Sequence, residues 1–201
     1  MKRKWWAVLI ALACIVAGFA FYHFYYTRTP HYAVQDALVA AKNHDLAHFE
    51  NRVDLDTLIG SAYDDIIAPA QAESNPFLTA LAAKFRPPVV ALFRYVIRQA
   101  VDPTTILPKP PDIPLLKQAD PDPEAFRRFE VRNISTVSEE KDLAQVDIKV
   151  RNQQTDRYCV VQLQLSKDST GYWRIRKIIN IKDTLDFFND HSPNTLPPIT
   201  K

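Results

Sequence analysis

The sequence predicts an α+β fold: an N-terminal transmembrane helix, then helices packed on one face of a curved antiparallel sheet of about four strands. Three observations carry this. Apolar residues recur at three- and four-residue spacing from Val34 to Ile97. From Phe129 to Ile175 they recur at every second residue. Ahead of both lies an uncharged run from Trp5 to Thr27, led by Lys2, Arg3 and Lys4.

At about 1.5 Å per helical residue, Trp5–Tyr26 spans roughly 33 Å, enough for a hydrocarbon core of about 30 Å. The basic tip keeps the N-terminus cytoplasmic and sends the rest across the membrane. Trp5 and Trp6 at one end, with Phe19, Phe21, Tyr22, Phe24, Tyr25 and Tyr26 at the other, read as interfacial belts. The rival is a cleaved signal peptide using Gly18-Phe19-Ala20, but the apolar run continues past Ala20. A lipobox at Cys14 fails because Leu12 stands one place late. Residues 1–28 are therefore expected to be a basic tip and single-pass anchor in the cell inner membrane. The remainder is expected to be periplasmic or extracellular.

Residues 29–201 suit a single domain that buries roughly 70% of its unfolded surface. The chain has 25 basic and 23 acidic residues. Every acidic residue lies beyond Arg28, so the domain is slightly acidic, which argues against a nucleic-acid partner. With Cys14 in the anchor, Cys159 has no partner for a disulfide within the domain; its apolar strand suits a packed thiol. Glycine occurs only at positions 18, 60 and 171, which excludes a glycine-rich phosphate loop.

The elements follow in order. Thr29-Pro30 opens a helix, a hydroxyl cap followed by proline in the first turn. Val34, Ala37, Leu38 and Ala41 form its apolar stripe. Asn43-His44 ends it, and Asp45 caps a short helix carrying Leu46 and Phe49. Asp54 caps a third, with a stripe from Leu55 through Ile59, Ala62, Tyr63 and Ile66 to Ala70. Asn75-Pro76 restarts a helix through Phe85; Pro87-Pro88 is expected to break it, with a last helix from Val89 to Val101. These make residues 29–102 a helical half. Residues 103–125 form a proline-rich, extended connector expected to lie along the surface and cover Ile106. Residues 126–190 form the meander, with inner positions Phe129 and Val131, then Ala144 to Val150, then Val161 to Leu165. Trp173, Ile175, Ile179 and Ile181 complete it, followed by a short helix at Leu185–Phe188. Residues 191–201 are a tail.

The run Thr29-Pro30-His31-Tyr32, with His44-Asp45, Phe49, Val53-Asp54 and Gly171-Tyr172-Trp173-Arg174-Ile175, resembles a bacterial domain-of-unknown-function family. Its members are short proteins with one N-terminal transmembrane segment and an exported domain. The resemblance covers most of residues 27–181 and brings no catalytic residues; His44 stands where that family usually has glycine. The helix-plus-curved-sheet pattern is also similar to the cone-shaped fold of nuclear transport factor 2-like proteins. That superfamily includes enzymes, ligand binders and assembly subunits, so it selects no function.

His44-Asp45-Leu46-Ala47-His48 imitates the H-E-x-x-H zinc motif. Aspartate is a methylene short of glutamate, and Asp45 serves better as a cap, which puts His44 outside the helix. No metal or other cofactor is expected. Asp64-Asp65 reads as a solvated pair on the polar face of the third helix. If a cavity binds a ligand, Tyr32, Asp36 and Tyr63 are the candidates from helix faces. Arg151, Arg157, Arg174 and Arg176 are candidates for a patch facing an anionic partner, against the plainer reading of a sheet's wet face. The resulting expectation is a non-enzymatic binding or assembly module, held at the membrane for an envelope protein or small apolar ligand. The alternatives are a small isomerase or hydrolase using an Asp/Tyr or Asp/His pair, and a secretion-assembly subunit.

Overall fold

The computed structural model describes residues 12–22, 25–72, 76–106 and 128–189. Residues 12–22 are helical, and a 3-10 turn at Tyr26–Arg28 leads into the domain. No helix among the described residues is long and apolar enough to cross a membrane. Much of the expected span, most of the proline-rich connector and the tail lie outside the described residues. Ile106, expected to be covered, is 97% exposed.

Helix α1 (Pro30–Lys42) begins where expected: the Thr29 side chain accepts from the Tyr32 N–H, with Pro30 in the first turn. It ends in a Schellman motif. The Asp45 N–H donates to the Ala40 carbonyl at 2.9 Å and the His44 N–H to Ala41 at 3.3 Å. His44 therefore sits in the left-handed region at φ 59°, the position glycine fills most easily. The buried stripe is Ala33, Val34, Ala37 and Ala40: Val34 and Ala37 are buried as expected, while Leu38 is exposed and Ala41 only half-buried. Alanines let the helix lie close on the sheet, and a leucine there would hold it off.

Helix α2 (Leu46–Arg52) is capped by Asp45, which accepts from the His48 N–H at 2.9 Å. Val53 then forms a parallel bridge to Ile175, and the Asp54 N–H donates to the Ile175 carbonyl. Helix α3 (Leu55–Ala72) follows, with Asp54 accepting from the Thr57 N–H.

Helix α4 runs unbroken over Pro76–Val101, so Pro87-Pro88 does not divide it as expected. The prolines orphan the carbonyls of Ala83 and Lys84, and both residues are exposed, so those carbonyls are not sealed in the core. Contacts on both sides of the prolines hold the helix to one track. The Tyr63 hydroxyl donates to the Ala82 carbonyl at 2.8 Å, and Arg86 pairs with Asp64. Beyond them Arg94 pairs with Asp56, and Arg98 with Glu50.

The four described strands are β1 (Phe129–Glu140), β2 (Leu143–Asn152), β3 (Tyr158–Lys167) and β4 (Trp173–Ile178). They pair in that order, all antiparallel, as the expected meander. The inner positions of β2 and β3 are buried as predicted. Val131 shares the register of buried Val150 yet stays 41% exposed, because β1 is the edge strand. On β4 the alternation fails. A bulge lets two steps of β4, Ile175 to Lys177, face one step of β3. This turns Ile178 inward and leaves Ile179 exposed. Ile181 belongs not to a strand but to α5 (Ile181–Asn189), longer than the helix expected there.

Helix α1 lies across the sheet against β1, β2 and β4, while α3 packs on β4. Val34, Val146, Leu165 and Trp173 fill the space between, each fully shielded from solvent. Burial contributes about 1.5–3 kcal/mol for each such aliphatic side chain. The space between helices and sheet is core.

Candidate functional site

The best-formed cleft opens at the end of the sheet where α2 meets the β3–β4 turn. Its volume is 420 Å³, with His48, Asn51 and Arg52 on one wall and Asp168, Thr170, Tyr172 and Arg174 on the other. His48 and Arg52 are four residues apart and so share one face of α2. Both reach back to α1: His48 Nε2 lies 2.9 Å and Arg52 Nε 2.7 Å from Asp36 Oδ2. The Arg52 and Asp36 side chains are only 11% and 12% exposed.

Aromatic rings flank these charges. The Arg52 guanidinium stands over Tyr32 at 5.4 Å and over Tyr172 at 5.3 Å, and Arg28 covers Tyr172 at 5.5 Å. Burial, with the nearby Asp36 carboxylate, pushes the Tyr32 phenol up to about 12. Across the cleft, Arg174 donates from Nη2 to the Glu50 carbonyl at 2.7 Å. Its Nε is buried without a partner. Asp168 is occupied by its own turn, accepting from the Thr170 N–H and hydroxyl and from the Tyr172 N–H. Burial raises its pKa, but those hydrogen bonds prevail and hold it below the usual carboxylate value.

Of the expected ligand residues, Tyr32 and Asp36 meet behind this cleft. Tyr63 is elsewhere, bonded to α4. The four arginines divide between opposite ends of the sheet. Arg151 faces Tyr158 across the ladder, whereas Arg174 faces Ser166. The eight steps of β3 from Tyr158 to Ser166 cover roughly 26 Å. Arg151 pairs with Asp156 and Arg176 with Asp54. Asp64 and Asp65 pair with Arg86 and Lys177.

His44 and His48 diverge. His44 Nδ1 lies 2.7 Å from the Val101 carbonyl, away from the Asp36 contact of His48. Among the described residues no three potential ligands gather around a metal position. Burial, with Asp183 nearby, raises the Cys159 thiol, as a packed rather than reactive group requires. An open cleft of 520 Å³ beside His44 contains Asp102, whose pKa is held at about 2 by Thr104 and Thr105.

Arg28, Arg52 and Tyr172 were not singled out as site residues from the sequence, and His48 was weighed only as half of a zinc motif. The four-residue spacing of His48 and Arg52 was a readable signal for that pair. Contact of Arg28 with Tyr172 depends on tertiary folding alone. No protein-family model, curated protein or solved structure matches this chain, so the two resemblances rest on its motifs.

Proposed function

We propose that this chain is a single-pass membrane protein with a cytoplasmic N-terminus. Its α+β domain, with the helices on one face of the sheet, serves as a non-enzymatic binding or assembly module on the far side of the membrane. The observation that carries the reading is the stretch 12–22, a helix that turns large apolar side chains out into the open. Ile15, Val16 and Phe21 are each 59–67% exposed. Exposed apolar residues in a continuous stripe call for a nonaqueous neighbour. At its end, Tyr22 and Tyr26 pack edge-on against Tyr32 of α1, which suits a ring collar at a membrane interface. The filled core favours recognition at the surface over chemistry in an internal cavity.

The enzymatic alternative has one observation in its favour, the Asp36–His48 contact. Arg52 shares the same carboxylate oxygen, however, and leaves Asp36 acting as a structural anchor. Topology is tested by fusing alkaline phosphatase after Lys201, and separately a cytoplasm-only fluorescent reporter. The phosphatase fusion is expected to be active and the reporter dark. A bright reporter with an inactive phosphatase at equal expression would reverse the orientation.

A further inference from the structure

We infer that the cleft between α2 and the β3–β4 turn binds the phosphate of an anionic lipid headgroup, an assignment that rests on the membrane-anchored reading. The argument begins with charge. Arg52 and Arg174 line the cleft, and Arg28 stands at its edge, over the ring of the lining residue Tyr172 that Arg52 also covers. Of the carboxylates at hand, Asp36 is held by Arg52 and His48, while Asp168 is held in place by Thr170 and Tyr172 and balances Arg174 across the cleft. Arg28 has no ion-pair partner among the described residues, and Arg174 bonds a neutral carbonyl. Arg28, Arg52 and Arg174 set against Asp36 and Asp168 thus leave one positive charge uncompensated at a cleft of 420 Å³. Planar guanidinium forks match phosphate oxygens, and a bound anion would balance the remaining charge.

Position identifies the source of the phosphate. Arg28 stands two residues after Tyr26, the last of the aromatic residues near the end of the apolar run. Tyr22 and Tyr26 touch Tyr32, on the same helix as the Asp36 that holds Arg52. The cleft is therefore fixed to the end of the domain from which the apolar helix leaves. In an anchored chain that end meets the headgroup layer, where basic side chains are drawn to acidic lipid.

The test uses the full chain in neutral detergent micelles, titrated calorimetrically with short-chain phosphatidylglycerol, phosphatidylcholine of equal chain length, or inorganic phosphate. Saturable binding is expected for phosphatidylglycerol alone, weakening as salt rises. Arg28→Gln and Arg174→Gln should each weaken it about fivefold, whereas Arg28→Lys keeps most of it. Arg28 lies outside the core, so its variant should melt with the parent; if Arg174→Gln melts early, Arg28→Gln decides. Unchanged phosphatidylglycerol binding in Arg28→Gln overturns the assignment. Inorganic phosphate binding as tightly as the lipid overturns it too, by making the cleft a solute site. The short-chain lipid reaches the cleft whether or not the chain spans a bilayer. No lipid binding by a chain whose phosphatase fusion is active removes only the cleft; lipid binding with an inactive fusion removes only the anchor.

Discussion

Two aspartate–arginine pairs of nearly equal length join helices in opposite surroundings. Asp36–Arg52 links α1 to α2 at 2.7 Å, with side chains 12% and 11% exposed. Asp64–Arg86 links α3 to α4 at 2.8 Å, with side chains 55% and 45% exposed. The second has the better geometry, since Arg86 grips both carboxylate oxygens. Water and salt nevertheless screen it, and surface pairs contribute about 0–1 kcal/mol. The first pair is short of water, so neither charge can lose the other cheaply. Distance alone does not rank the two; surroundings do.

The largest effect should come from the shielded pair. Arg52→Ala leaves Asp36 without its cation and removes ring contacts to Tyr32 and Tyr172, costing about 3 kcal/mol or more. Arg86→Ala should cost under about 1 kcal/mol. Urea unfolding of both variants measures the gap. In 1 M salt the Arg86 effect should vanish while most of the Arg52 effect persists. Equal losses for the two variants would show that burial does not separate them.

The same regions should fail at opposite ends of the pH scale. Tyr32, beside the shielded pair, has its pKa raised from 10.0 to about 12. A raised pKa means that folding favours the protonated form. The stability it lends is complete below pH 10 and is lost as pH climbs toward 12. Asp64 is moved the other way, lowered from 3.8 chiefly by its hydrogen bond with Arg86. Its contribution is present above pH 3.8 and disappears as the solution is acidified through its folded value. Thermal melts across pH should therefore show Tyr32→Phe flattening the alkaline limb and Asp64→Asn part of the acid limb. The acid change should be the smaller, given the exposure of the pair. A variant that alters the opposite limb would contradict the assignment of causes.

Local chemistry made much of this legible beforehand. Thr29, Asp45 and Asp54 announced three helix starts because a cap is a contact between near neighbours in sequence. The strands were readable because period two holds wherever one face is buried. What could not be read was set by distant contacts. The bulge that turns Ile178 inward and Ile179 outward exists only in the pairing of β4 with β3. Pro87-Pro88 ought to stop a helix, yet pairs with Asp64, Asp56 and Glu50 from other elements carry α4 through. The site followed the same division. Tyr32 and Asp36 were found from their helix face, whereas Arg28 and Tyr172 meet only after the chain has folded back. A glycine inside a helix is ordinarily a weakness; Gly60 of α3 is also a seat for Arg86.

That seat gives the smallest and most discriminating test of the exposed pair. A Cβ built on Gly60 would stand 2.8 Å from Arg86 Nη2 and 3.5 Å from its Cζ. The obstructed atoms are the end of a flexible side chain, so alanine would fit by pushing the guanidinium off Asp64. Alanine in place of glycine inside a helix contributes about 1 kcal/mol. Disturbing the pair costs up to about 1 kcal/mol. In the natural chain the two should nearly cancel, leaving Gly60→Ala close to neutral. In an Arg86→Ala background nothing is displaced, and the same substitution should stabilise by about 1 kcal/mol. The double-mutant cycle therefore predicts a coupling of about 0.5–1 kcal/mol, in the range expected of side chains in contact. An identical gain in both backgrounds would mean that the guanidinium gives up nothing to make room, and that glycine is not what seats the pair.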